Sequence, residues 1–217
     1  MSDVSSRPHY PTPAARVADF VVHVAGLVFA IIGGAILLAL SFGHNAFVAI
    51  AIYAAGMVLM LSFSMAYNFV DGRRKPLLRR LDHAGIFVMI AGSYTPFTTH
   101  ILTGAWAWGM TIAVWAIAGL GMLGKIFLPR LPEAVWIGLY LAMGWIVVIA
   151  IGPIIHGLPQ PATVLLVLGG LLYTAGVIFH VNERLAFAKP LWHGHVVVAA
   201  IVHWVAILIG TVLPAAQ

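Results

Sequence analysis

The sequence predicts an all-α integral membrane protein, a bundle of seven transmembrane helices with the N-terminus in the cytoplasm and the C-terminus outside. Three observations predict it. Hydrophobic residues fill 62% of the 217 positions and charged residues 8%, too little polar surface to cover a water-soluble domain. Apolar runs long enough to cross about 30 Å of hydrocarbon recur seven times, separated by Pro, Gly or charge. Lys and Arg fall only in alternate connections between those runs.

Residues 1–16 carry Pro8, Pro11 and Pro13 and read as a flexible cytoplasmic tail, since no charged n-region runs directly into a short apolar core. Residues 17–217 read as a single transmembrane domain. Its runs cover residues 17–40, 47–70, 81–100, 105–127, 133–151, 162–181 and 191–213. Each satisfies its own backbone as a helix, which is the condition for lying in lipid. The absence of Cys excludes disulfides and thiolate metal sites.

Charge sets the orientation. Arg7 and Arg16 precede the first run, and Arg73, Arg74, Lys75, Arg79 and Arg80 lie between the second and third. Lys125 ends the fourth run and Arg130 lies between it and the fifth, with Arg184 and Lys189 between the sixth and seventh. All eleven cations therefore share one face, which the positive-inside rule assigns to the cytoplasm. A bacterial inner membrane is the expected location. The basic isoelectric point near 9.9 follows from this asymmetry, so the expected partner is membrane lipid and no nucleic acid. Trp106 and Trp108 are expected in the outer aromatic belt, Trp136 and Trp192 in the inner one. Gly121 and Gly124 are small residues that suit close helix packing within the bundle or between copies.

An ionisable side chain at the centre of a span costs about 2.5–3.5 kcal/mol, so each one needs a partner or a purpose. Ser64 and Asn68 share one helix face at i, i+4, as do Asp19 and His23. Asp82 and His83 open the third run, and His193 and His195 open the seventh. These groups reach one depth from four distant helices, so a cytoplasm-proximal cavity is expected. Asp19, His23, Asn68, His83 and His203 are candidates for its lining, His203 about 15 Å deeper by the helical rise. Ser64, Asp82 and His193 are the catalytic candidates. Plainer readings stand beside these. Asp82 could cap the third helix, Asp19 and His23 could be a local pair, and His203 a satisfied core imidazole. His180 and His195 read as interfacial, and His44, His100 and His156 as solvated loop residues.

The segments SMAYN, RLDHAGIFVMIAGSYTPF and LWHGHVVVAAIVHW resemble the bacterial hemolysin III family, relatives of the progestin and adiponectin receptor proteins. The resemblance runs from the first span to the seventh. It implies a seven-helix bundle with a cytoplasmic N-terminus. In the receptor branch and the alkaline ceramidases it also implies a zinc ion held by three histidines, with an Asp and a Ser beside it. Ser64 and Asp82 match that Ser and Asp, and His193 matches one ligand. The other two ligand positions fall on Asn68 and Lys189. Zinc is therefore an open alternative to a metal-free polar network of Ser64, Asn68, Asp82 and His193.

Three functions remain for such a cavity. The first is a protein of membrane or lipid homeostasis. The second is a ceramidase-like lipid amide hydrolase, with Asp82 orienting a water, Ser64 or Asn68 binding the oxyanion, and His193 as ligand or base. The third is a proton or ion pathway along His193, His203 and Asp82.

Overall fold

The computed structural model describes residues 9–128, 131–182 and 184–215. Among these the chain is helical, with no strand. In order, the helices are α1 (Pro13–Ser41), α2 (Phe47–Phe69), α3 (Lys75–His100), α4 (Gly104–Phe127), α5 (Glu133–Gly144), α6 (Ile151–Gly157), α7 (Gln160–Val181), α8 (Ala188–Ile207) and α9 (Leu213–Ala215). A 3₁₀ turn, Ile146–Ala150, joins α5 to α6, and a π turn, Leu208–Val212, joins α8 to α9. Among the described residues, six segments are long and apolar enough to cross a membrane: α1, α2, α4, α5 with α6, α7, and α8 with α9. The protein is thus an integral membrane helical protein. α3 has comparable length, 26 residues, but its first turns hold Lys75, Arg79, Arg80, Asp82 and His83.

Four local differences from the sequence reading have physical causes. α1 begins inside the predicted tail, because Pro13 supplies a helical φ at N1 and the Thr12 hydroxyl accepts from Ala15 N at 3.1 Å. Residues 1–8 lie outside the described residues. α3 begins at Lys75 rather than at residue 81, again with Pro in its first turn. Asp82 therefore lies two turns into the helix and caps nothing. The predicted run 133–151 is broken after Gly144. There the Tyr94 hydroxyl donates to Gly144 O at 2.6 Å and accepts from Val147 N at 3.1 Å. A side chain inserted into the backbone ladder is a known cause of such an interruption. Trp136, expected in the inner belt, is 2% exposed and packs on Phe87, while Lys125 Nζ lies 4.8 Å from its ring centroid.

α3 packs against α2 and α4, α1 against α2 and α8, and α7 against α8. The α2–α3 seam is the closest in backbone terms. A Cβ at Gly85 would lie 3.2 Å from Met60 Cα, and one at Gly92 would lie 3.5 Å from Tyr53 Cα. Small residues allow this approach, which gives dispersion contacts that lipid tails cannot match. Gly121 and Gly124 face Phe87 and Trp136, so both serve packing within the bundle. Lys75, Arg79, Lys125, Glu133, His180 and Lys189 all fall at helix ends on one side of the bundle. Arg79 reaches Glu133 at 3.3 Å, and His180 approaches the same carboxylate at 3.6 Å. This basic end carries the site.

Candidate functional site

Three helices each bring a pair of polar residues at i, i+4 to the basic end: Asp19 and His23 on α1, Ser64 and Asn68 on α2, Lys189 and His193 on α8. Asp19 is fully buried and His23 is 2% exposed, so both depend on internal partners. His193 Nδ1 donates to Asp19 Oδ1 at 2.6 Å. The other carboxylate oxygen accepts from the Tyr10 hydroxyl at 2.5 Å. His23 Nδ1 donates to the Asp19 carbonyl oxygen at 2.8 Å, which leaves its Nε2 to accept from the Ser64 hydroxyl at 3.1 Å. The two imidazoles meet edge to face, with centroids 4.3 Å apart. Among the described residues, His193 Nε2 is the ring nitrogen of this pair with no hydrogen bond.

His9 closes a second chain. Lys189 Nζ lies 3.0 Å from His9 Nδ1 and 3.1 Å from its Nε2, with Nδ1 as the acceptor when Nε2 donates to Asn68 Oδ1 at 2.9 Å. Asn68 Nδ2 donates in turn to Ser64 O at 2.9 Å. The donor sense is self-consistent with a neutral imidazole. His9 has its proton affinity held below the ordinary 6.5, first by burial and then by the Lys189 charge. The free segment takes up a proton below that pH which the docked segment refuses. Docking is therefore at full strength above pH 6.5 and weakens as the pH falls below it. Proteolysis after Tyr10 in the solubilised protein is expected to be faster at about pH 5.5 than at about pH 7.5; equal rates would contradict the assignment.

The expected cavity residues divide. Asp19, His23, Ser64, Asn68 and His193 come together, and half-buried Asp82 lies beside Ser64 and within electrostatic reach of His193 and Lys189. His83 turns to another environment, with the Tyr67 ring centroid at 6.4 Å and the charges of Lys125 and Glu133 nearby. His203 is a satisfied imidazole, its Nε2 donating to Leu166 O at 3.1 Å. It lines a separate, mostly apolar crevice of about 70 Å³ with Phe97, Met110 and Trp145. His180 pairs with Trp192 at 5.0 Å, and His195 with Phe179 at 5.0 Å. The sequence reading missed His9 and Tyr10. The available signal was that they are the one imidazole and the one aromatic ring in the first fifteen residues, held between Pro8 and Pro11.

A profile of the family described as haemolysin-III related matches residues 16–204. The chain belongs to the haemolysin-III-related family. This family member is 30% identical over 185 residues to the hemolysin-3 homolog of Bacillus subtilis, a match covering 83% of the chain and 87% of the relative. It is 32% identical over 182 residues to hemolysin-3 of Bacillus cereus, covering 82% and 83%. It is 28% identical over 207 residues to the human monocyte to macrophage differentiation factor, covering 91% and 84%. That human relative ties the family to the progestin and adiponectin receptor proteins.

The zinc implied by the resemblance does not fit its three positions in this family member. Asn68 offers a carboxamide whose oxygen is already bonded to His9, and Lys189 offers an ammonium that repels a cation. A different group, Asp19, His23 and His193, presents ligand atoms within 4.8 Å of one another and could hold a metal ion. Its close contacts are hydrogen bonds between its own members, and its remaining carboxylate oxygen and His23 Nε2 are bonded to Tyr10 and Ser64. The arrangement is that of a satisfied polar network.

Proposed function

We propose that this chain hydrolyses an acyl linkage of a membrane lipid, working without a metal from the cytoplasmic leaflet of a bacterial inner membrane. In this reading α3 is the seventh crossing and the basic end faces the cytoplasm. The observation that carries it is the bond of half-buried His193 to buried Asp19 at 2.6 Å, with Ser64 and Asp82 beside it. A carboxylate on Nδ1 fixes the imidazole tautomer and leaves Nε2 as a general base. His193 Nε2 takes a proton from a water oriented by Asp82, and the hydroxide attacks the acyl carbon. The Ser64 hydroxyl turns from His23 Nε2 to donate to the developing oxyanion. Collapse breaks the bond to the leaving amine or alcohol, which takes the proton back from His193. A hollow of about 340 Å³ under the N-terminal segment, lined by His9, Tyr10, Arg16, Asn68, Asp71 and Lys75, suits a polar headgroup.

The test is fatty-acid release from ceramide-type and phospholipid liposomes by reconstituted protein. His193→Ala and Asp82→Asn are each expected to lower the rate by about 10²-fold or more. Release that survives both substitutions would sink the proposal. A second reading, a non-enzymatic protein of membrane homeostasis, is favoured by the closure of the site over Asp19 and His23. Absence of release from every lipid tested would select it.

A further inference from the structure

We infer that the cation of this site is the Lys189 ammonium, clamped by His9 of the N-terminal segment, where the resemblance would put a metal ion. The two departures from the ligand pattern, Asn68 and Lys189, are not independent losses. One residue, His9, binds both: it accepts from Lys189 at 3.0 Å and donates to Asn68 at 2.9 Å. Asn68 is held in the orientation this requires, because its amide nitrogen is committed to Ser64 O. The ammonium also lies over the Tyr10 ring, 5.5 Å from its centroid, so the two neighbouring residues grip it from two sides. Lys189 precedes His193 by one helical turn on the same face of α8, and its charge reaches His23 and Asp82. A fixed positive charge thus stands within electrostatic reach of His23 and Asp82, at a position where the resemblance would put a metal ligand.

Residues 9 and 10 are accordingly parts of the site. Tyr10 is a positioning residue, since its hydroxyl holds one oxygen of Asp19 while the other holds His193.

Metal content tests the inference independently of lipid hydrolysis, so failure of one claim leaves the other standing. The purified full chain is loaded with zinc chloride, freed of unbound metal and analysed by plasma mass spectrometry. The wild-type chain is expected to hold far less than one equivalent, with a thermal midpoint unmoved by chelator. The double variant Asn68→His, Lys189→His is expected to take up one zinc and to gain thermal stability with it. Stoichiometric zinc in the wild-type chain, lost in His193→Ala, would overturn the inference, and so would a folded double variant that takes up none. Should the double variant fail to fold, lysine acylation read by peptide mass spectrometry decides. His9→Ala is expected to raise the acylation rate of Lys189 roughly tenfold relative to that of Lys75. An unchanged rate means that His9 does not clamp the ammonium.

Discussion

Asp19→Ala is expected to destabilise the solubilised protein by about 3 kcal/mol or more, because one buried side chain satisfies several donors at once. Its carboxylate accepts from Tyr10 and from His193, and its ring neighbour His23 approaches to 3.6 Å. Alanine leaves an imidazole N–H and a phenol hydroxyl without their acceptor, at a position that is itself 0% exposed. Asp19→Asn keeps one acceptor oxygen and is expected to cost less. Thermal midpoints of the two variants in one detergent check this. A neutral Asp19→Ala would mean that the Tyr10 and His193 contacts are not made.

Gly169→Ala is expected to have a comparable effect by a different route. A Cβ at this position would lie 2.1 Å from His203 Cδ2 and 2.3 Å from Nε2, inside any tolerable contact. The imidazole would have to leave its place, and with it the bond to Leu166 O. Overpacking costs about 1–3 kcal/mol and the unmade buried hydrogen bond about 1–3 kcal/mol more. The α7–α8 contact then opens beside the site helix. Coupling identifies the mechanism: Gly169→Ala combined with His203→Ala should cost less than the sum of the two, because the second change removes the obstacle. Strict additivity in a double-mutant cycle would refute the steric account.

The sequence made the helices legible because lipid forces each apolar run to satisfy its own backbone, and the i, i+4 pairs on α1 and α2 were legible for the same reason. Asn68 and Lys189 could be seen as departures from a ligand pattern. Their common partner could not, because a segment bounded by prolines has no hydrophobic period to betray where it docks. A capping role for Asp82 stood as an alternative because the charged turn of Lys75, Arg79 and Arg80 looks like a loop by hydropathy, although charge at a helix end does not stop the helix. His83 was grouped with Asp82 by depth alone, yet adjacent positions on a helix point about 100° apart and enter different surroundings.

The interrupted segment α5–α6 bears on bilayer thickness. Its 3₁₀ turn spans five residues, Ile146–Ala150, at about 2.0 Å each in place of 1.5 Å. The crossing is therefore about 2.5 Å longer than an unbroken α-helix of the same residues, roughly half the difference in hydrocarbon depth between thin and thick membranes. Tyr94, bonded to both Gly144 and Val147, marks where this wall of the bundle lengthens.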